Sequence, residues 1–201
     1  SEMCIRDRNR SVVTTPTEIV KYMVDKTLSK VCDGKTPSEI LDISVADIAC
    51  GSGIFLEEAF AYLQDYCVQW YICNGQTDHL IETGIDLYKL PLQEKKDILC
   101  SCIYGIDIDI HAVEVAKFSL LIKLIEDETA PSVSEVVPIL PDLGDNIQFG
   151  NSLVSQTELN GISGANHQMM EIAPFDWSTI NNGCGFDVII GNPPYVNTEG
   201  M

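Results

Sequence analysis

The sequence predicts an α/β fold built on a doubly wound parallel sheet. Four short apolar runs, at residues 43–50, 103–108, 147–149 and 186–190, have the length and composition of buried strands. Stretches with helical spacing of apolar residues alternate with these runs, and such alternation favours a parallel sheet. Each run also leads into a distinctive polar residue, as expected where ligands bind at the carboxyl ends of parallel strands.

The first predicted helix opens at the TPTE segment of residues 15–18. Thr15 is expected to cap it, Pro16 to occupy the first helical position, and Glu18 to complete a capping box. The apolar residues that follow at helical spacing are Ile19, Val20, Met23, Val24 and Leu28. We therefore expect an amphipathic helix ahead of the first strand.

The segments between the strands are assigned from the same signals. Three further helices are predicted, at residues 54–70, 90–99 and 111–125. Asp109 is expected to cap the last of them. Loops are predicted at residues 74–84, 126–146 and 151–185, which are polar, acidic or rich in Gly, Asn and Pro.

The composition allows one hydrophobic core and disfavours a nucleic-acid interface made by this chain alone. The chain has 201 residues, of which 45% are hydrophobic, which is too little for two full domains. Its net charge is −18, from 30 acidic and 12 basic residues. Because phosphate contacts need Lys and Arg, any affinity for DNA must come largely from other parts of the protein or from a partner.

The cysteines and the hydropathy pattern indicate a reduced, cytoplasmic protein. None of the eight cysteines forms a C-x-x-C pair, and nearby histidines complete no zinc spacing, so no metal site is predicted. Several cysteines lie in apolar stretches, where free Cys behaves as a small hydrophobe. No apolar run reaches the length of about 18 residues that a transmembrane helix needs, so no membrane association is expected.

The first motif is the DIACGSG segment that begins at Asp47. A strand enters a glycine turn that opens a helix, and glycines allow both positive φ and close approach to a ligand. The NAD fingerprint requires a third glycine where this sequence has Leu56. A carboxylate just before the turn suits a positively charged ligand end, such as the amino group of S-adenosylmethionine. The alternative is a tight strand-to-helix turn that binds no ligand.

The second motif is the acid at the end of the next strand. Asp107 can accept hydrogen bonds from both hydroxyls of a ribose, as the acid of dinucleotide-binding folds does. Asp109, two residues on, is interpreted as the helix cap. A metal site formed by the two acids is the weaker alternative, because no other carboxylate or histidine is close in sequence.

The third motif is Asn192-Pro193-Pro194-Tyr195, after the last strand. The exocyclic nitrogen of adenine is a poor nucleophile because its lone pair is conjugated with the ring. Two acceptors, the Asn192 side-chain oxygen and the Pro193 carbonyl, would bind its hydrogens and free that lone pair. Prolines fix the backbone and remove competing N–H donors, and Tyr195 offers a face on which a flipped base can stack. The alternative is a strand that ends in a proline turn with a packed tyrosine.

In their order and content these motifs resemble the N6-adenine DNA methyltransferases of restriction-modification systems. The resemblance runs from about Val13 to Val196 and is greatest to type I modification subunits and to large enzymes that join modification to cleavage. It implies a Rossmann-like, S-adenosylmethionine-dependent methyltransferase fold. The Thr-Pro segment precedes the glycine loop, which is the gamma order of that family.

The resemblance also implies the roles of individual residues. The cofactor-binding residues it implies are Thr15, Pro16, Asp47, Ala49, Cys50, Gly51, Gly53, Asp107, Ile108, Asn151 and Ser152. Those implied to be catalytic are Asn192, Pro193, Pro194 and Tyr195. Thr15 and Pro16 would touch the methionine end of the cofactor, and the segment at Asn151 would contact its adenine ring. No metal is implied.

The implied substrate is double-stranded DNA with a flipped adenine, contacted mostly by regions outside this chain. A specificity subunit or a fused nuclease is a further implied partner. Residues 1–10 are expected to be a foreign or disordered leader, and residues 11–201 the N-terminal part of a catalytic domain without its target-recognition domain.

Two other functions are compatible with the motifs. A methyltransferase that acts on a protein glutamine or an RNA base would need the same two acceptors for its amide or amino nitrogen. A non-catalytic subunit that keeps the fold as a relic is the alternative from another class. Assays of cofactor binding, and of methyl transfer to DNA, protein and RNA, separate these hypotheses.

Overall fold

The computed structural model describes residues 15–129, 136–155 and 173–193. The expected leader at residues 1–10 and the predicted site residues Pro194 and Tyr195 lie outside these ranges. The helices are α1 (Thr17–Cys32), α2 (Pro37–Ile40), α3 (Ile54–Cys73), α4 (Leu92–Cys102) and α5 (Ile110–Ile125). The strands are β1 (Val45–Asp47), β2 (Ile81–Gly84), β3 (Leu87–Lys89), β4 (Ile103–Asp107), β5 (Ile147–Phe149) and β6 (Val188–Ile189).

The predicted α/β fold with a parallel sheet is confirmed. Strands β1, β4, β5 and β6 form one sheet in the order β5-β4-β1-β6, and all neighbouring pairs are parallel. The chain runs outward from β1 to β4 and β5, then returns to the other side of β1 for β6. This reversal makes the carboxyl ends of β1 and β6 the topological switch point, where ligands bind in sheets of this kind.

The sheet is covered on both faces. Val45, Ile103 and Ile147 share the larger core with α3, α5 and, behind them, α1 and α4. On the opposite face a smaller cluster joins Ala46, Tyr104 and Ile106 to Phe175 and Ile180 of the segment before β6. Burial on both faces explains why β1 and β4 lie in continuous apolar runs rather than alternating ones.

The expected capping box at the start of α1 is wrong. The helix begins at Thr17, Pro16 occupies the N-cap position, and no side chain caps the helix. The Thr15 hydroxyl instead accepts a hydrogen bond from a distant side chain of the site, described below. By contrast, the predicted cap of α5 is confirmed, because an Asp109 side-chain oxygen accepts from the His111 N–H at 2.9 Å.

The expected polar loop over residues 74–84 is wrong in its last part. Strand β2 pairs antiparallel with β3, and the two form a separate hairpin between α3 and α4. Most hairpin side chains are exposed or half-buried, so hydrophobic alternation does not mark its strands in the sequence.

A buried ion-pair network holds this hairpin against the helices. The Lys95 side chain on α4 is 3% exposed, and its Nζ lies 2.7 Å from the Glu128 carboxylate just after α5. Lys89 on β3 lies 3.0 Å from the same carboxylate. The network thus links β3, α4 and the end of α5. Separating these elements would leave a buried charge without its partner, which is costly.

The other boundaries differ from the predictions by a few residues. Strands β1 and β6 are shorter than the predicted runs 43–50 and 186–190, while α3 and α4 extend beyond the predicted ends. In the described ranges, no helix has the length and apolar character needed to cross a membrane.

Candidate active site

Asp47 lies at the end of β1 with a buried carboxylate. The residue is 2% exposed, and its Oδ1 accepts the Ala49 N–H at 3.0 Å. Desolvation by burial raises the pKa of Asp47 to about 6, and the nearby negative charge of Asp107 adds to the rise. Among the described residues, no lysine or arginine forms an ion pair with it. The carboxylate is therefore costly to charge and lacks a protein cation to offset that cost.

The glycine loop after Asp47 has the backbone that the sequence predicts. Gly51 has φ +53° and Gly53 has φ +90°, so both adopt the left-handed conformation that glycine favours. Gly53 is also the N-cap of α3, and a Cβ there would lie 3.1 Å from the Cβ of Ala116 on α5. The loop therefore combines a turn that requires glycine with a close approach of two helices.

Asp107, at the end of β4, orders this loop. Its Oδ2 accepts the Gly51 N–H at 2.7 Å, and its Oδ1 accepts the Asp109 N–H at 2.8 Å. Since each carboxylate oxygen has two lone pairs, both oxygens keep capacity for a further hydrogen bond. Ile108, the next residue, is 56% exposed and presents an apolar side chain beside the carboxylate.

The segment after β5 is bonded to the end of β1. The Ser152 hydroxyl donates to the Ile48 carbonyl at 2.7 Å. The Asn151 side-chain oxygen accepts the Leu153 N–H at 3.0 Å, so it stabilises its own turn. The two residues thus bring the third predicted strand end next to the first.

Cys50 enters the site through its main chain. Its N–H donates to the Ile106 carbonyl at 3.0 Å, which ties the glycine loop to β4. The thiol is buried on the core side, where a Cβ at Gly105 would lie 3.2 Å from its sulfur. Burial raises the pKa of this thiol above its usual range, so it is an unreactive core group.

Asn192 lies beyond the end of β6 and contacts the segment that precedes α1. Its Nδ2 donates to the Thr15 Oγ1 at 3.0 Å, across 177 positions of the sequence. Both residues are half-buried, and Pro193 is exposed. This contact leaves the Asn192 side-chain oxygen as a hydrogen-bond acceptor.

Sequence reasoning missed Gly191, the residue before Asn192. A Cβ built on Gly191 would lie 2.3 Å from Oδ1 and 2.7 Å from Cγ of Asp47. Only glycine lets the strand end pass the buried carboxylate at this distance. The signal was present as a glycine between an apolar strand and the Asn-Pro motif.

The structure brings the described site residues together at the carboxyl ends of the parallel strands. Hydrogen bonds connect Gly51 with Asp107, and Ser152 with Ile48 beside Asp47. The close approach at Gly191 then joins this group to Asn192 and, through it, to Thr15. In the parts of the chain that are described, no cluster of three or more His, Cys, Asp or Glu side chains could hold a metal ion.

The arrangement defines the class of protein as one with the Rossmann-like α/β fold of methyltransferases. A solved structure supports this class at the level of the fold. It is a nuclease-deletion mutant of the Type ISP restriction-modification enzyme LlaGI, in complex with a DNA substrate mimic. The match has a TM-score of 0.52 at 18% identity and covers 92% of this chain and 13% of that one.

The chain belongs to the Eco57I restriction-modification methylase family, whose model matches residues 101–201. It is also 45% identical, over 193 residues, to the type II restriction enzyme and methyltransferase RM.Eco57I of Escherichia coli. That match covers 96% of this chain and 18% of the relative, so the chain spans less than a fifth of the relative's length.

Replacing Asp47 by asparagine is expected to stabilise the sheet at neutral pH. The pKa of Asp47 is about 6 in the folded chain against a usual value of 3.8, so the folded state holds the proton more tightly. The free energy of unfolding of the natural protein should therefore fall as pH rises from about 4 to about 6, by about 3 kcal/mol in total. Asparagine avoids this loss, so its advantage should be full above pH 6 and absent near pH 4.

Native-state hydrogen exchange of the amides of β1 and β4, at pH 4 and pH 7.5, measures this difference locally. Asp142→Asn is the matched control, because Asp142 is exposed and accepts one N–H two residues on, as Asp47 does. Equal protection of Asp47→Asn and natural protein at pH 7.5 would contradict the prediction.

Proposed function

We propose that the protein carrying this chain transfers a methyl group from S-adenosylmethionine to N6 of adenine in DNA, within a restriction-modification or related defence system. The observation that carries the proposal is the juxtaposition of Asn192 with the buried Asp47 through the close approach at Gly191. Gly191 lies against a carboxylate that suits a cationic cofactor, and the residue after it is the proposed amide acceptor. Membership of the methylase family agrees with this chemistry.

The residues present fit S-adenosylmethionine. Asp47 is a buried carboxylate without an ion-pair partner among the described residues, so a positively charged amino group would offset its desolvation. Asp107 keeps acceptor capacity for ribose hydroxyls, and the exposed Ile108 offers an apolar surface for the adenine ring. When bound, this cofactor supplies an electrophilic methyl group and leaves as a neutral thioether.

Asn192 acts on the substrate nitrogen. With its Nδ2 engaged by Thr15, its Oδ1 can accept one hydrogen of the adenine amine, and the Pro193 carbonyl the other. Both hydrogen bonds draw the nitrogen toward tetrahedral geometry and make its lone pair available. One amine proton passes to water, because an amide oxygen is too weak a base to keep it. Tyr195 would stack on the flipped base.

The chain's charge limits its part in DNA binding. With a net charge of −18 it repels phosphate, so most contacts to duplex DNA are proposed to come from protein outside this chain. The RM.Eco57I relative, of which the chain covers 18%, has ample further sequence for such contacts. A specificity subunit or a fused nuclease belongs to the same proposal.

The test is transfer of labelled methyl groups from S-adenosylmethionine to duplex DNA by the protein at its natural length, followed by nucleoside analysis. N6-methyladenine is the expected product. Label on cytosine would refute the adenine assignment and leave the cofactor assignment intact. Label on protein or RNA alone would favour the other methyltransferase hypothesis, and cofactor binding without any transfer would favour a relic subunit.

Replacing Asp107 by alanine is expected to weaken binding of S-adenosylmethionine by at least about 100-fold, because two hydrogen bonds to the ribose are lost. The change removes charge-assisted hydrogen bonds to ribose, each worth roughly 1.5–3 kcal/mol. It also frees the Gly51 N–H that orders the glycine loop. Titration calorimetry on both proteins measures the effect.

Asp142→Ala serves as the control for this variant. Asp142 accepts the Gly144 N–H at 2.8 Å, as Asp107 accepts the Asp109 N–H. It precedes β5, whereas Asp107 ends β4, so the two acids lie at opposite ends of neighbouring parallel strands. Its replacement should leave cofactor affinity unchanged. An unchanged affinity in Asp107→Ala as well would remove the ribose assignment.

A further inference from the structure

We infer that Thr15 is a positioning residue for methyl transfer, which restrains the side-chain amide of Asn192 through its nitrogen end and leaves the oxygen end for the adenine amine. The inference rests on the proposed function. It gives Thr15 a role toward the reacting base, in addition to the cofactor contact that the sequence resemblance implies. The observation is the 3.0 Å hydrogen bond from Asn192 Nδ2 to Thr15 Oγ1.

The direction of this bond matters because an amide has two different ends. The nitrogen end can only donate, and the oxygen end can only accept. If the Asn192 amide turned by 180°, its NH₂ group would meet the NH₂ group of adenine, donor against donor. The bond to Thr15 satisfies the nitrogen end, and it leaves the oxygen end for the substrate.

Thr15 is held firmly enough to act as this reference point. It is followed by Pro16, whose ring restricts both its own φ and the conformation of the residue before it. The Pro16 carbonyl accepts the Ile19 N–H at 2.9 Å and the Val20 N–H at 3.1 Å, which joins the segment to the first turn of α1. Val20 is fully buried in the larger core. The hydroxyl is thereby anchored to the core.

Asn192 is restrained on its other side by the main chain. Gly191 passes so close to the Asp47 carboxylate that no Cβ fits between them. The backbone before Asn192 is therefore positioned by β1, and its side-chain amide by the segment before α1. Without Thr15 the side chain would keep its location but lose the hydrogen bond that restrains rotation of the amide.

The test is single-turnover methyl transfer to duplex DNA by the natural-length protein, at saturating cofactor and DNA. Thr15→Val has nearly the same shape but no hydroxyl, and Thr15→Ser keeps the hydroxyl. We expect Val to lower the rate about five- to tenfold, because the amide that contacts the reacting amine loses the one neutral hydrogen bond that restrains it. Ser should stay within about twofold of the natural rate.

Cofactor affinity and fold are measured on the same proteins. Titration calorimetry should show that the Kd for S-adenosylmethionine changes less than about twofold in Thr15→Val, because the hydroxyl bonds to Asn192 and valine keeps the other groups of this residue that could contact the cofactor. Thr17→Val is the matched control, since Thr17 is an exposed residue at the start of α1. If Val lowers the melting temperature, Thr15→Ala is assayed by the same criteria.

Two outcomes would overturn the inference. One is an unchanged single-turnover rate in a folded variant without the hydroxyl. The other is a loss of cofactor affinity with a natural rate at saturation, which would make Thr15 a cofactor contact alone. A natural protein that transfers no methyl to adenine would instead refute the proposed function, so the two failures are distinguishable.

Discussion

Alanine at position 192 is expected to lower methyl transfer by about 100- to 1,000-fold, the usual effect of removing one preorganised group from a transition state. In the proposed function the Asn192 oxygen is the acceptor that frees the amine lone pair, and this contact would strengthen as the nitrogen becomes tetrahedral. An interaction made mainly in the transition state affects the rate and not the affinity. The Kd for S-adenosylmethionine should therefore change less than about threefold.

Single-turnover transfer of labelled methyl groups and titration calorimetry measure the two effects. Asn74→Ala is the control, because Asn74 is an exposed residue at the end of α3. A helix of 20 residues places it about 30 Å from Gly53, at the start of that helix. If Asn192→Ala transferred methyl groups at the natural rate, the motif would be a proline turn without a catalytic role.

Alanine at position 191 is expected to abolish both cofactor binding and methyl transfer. The added Cβ would lie 2.3 Å from the Asp47 carboxylate, so either the carboxylate or the end of β6 must move. Asp47 is buried and its Oδ1 is bonded to the Ala49 N–H, which leaves it little room to yield. The added methyl group should therefore disturb both the Asp47 carboxylate, which is proposed to bind the cofactor, and the segment that carries Asn192.

Gly144→Ala is the matched control for this substitution. A Cβ there would meet Asp142 Oδ1 at 3.2 Å, but that carboxylate is exposed and can turn aside. Calorimetry with S-adenosylmethionine and a thermal melt would be recorded for both variants. A folded Gly191→Ala protein with natural cofactor affinity would show that the surrounding residues can accommodate the added methyl group, and that the site does not need Gly191.

Asp47 shows why such a site costs stability. Its buried carboxylate has a pKa raised to about 6, so at neutral pH the folded chain bears the cost of a charged group away from water. A residue chosen for stability alone would be neutral here. In the proposed function this carboxylate would offset a cofactor's positive charge, which agrees with the general trade-off between stability and function.

The sequence by itself determined the features that depend on neighbouring residues. The apolar runs located all four parallel strands, and for β1 and β4 the reason is that a strand buried on both faces is apolar along most of its length. Asp109 predicted its helix cap, which needs only the N–H two residues on. The glycines at 51 and 53 predicted a turn of positive φ for the same local reason. The acids at the strand ends followed from the strands themselves.

Only the tertiary structure decided which of these features meet. Local rules assigned Thr15 to a helix cap, but a hydrogen bond from Asn192, 177 positions away, takes that hydroxyl instead. Gly191 reads as an ordinary strand-end glycine until β6 is placed beside β1 and brings it against Asp47. The β2–β3 hairpin likewise forms without a hydrophobic pattern of its own. For Thr15 and Gly191 the deciding partner is remote in sequence, and only the strand order β5-β4-β1-β6 brings Asn192 and Gly191 to theirs.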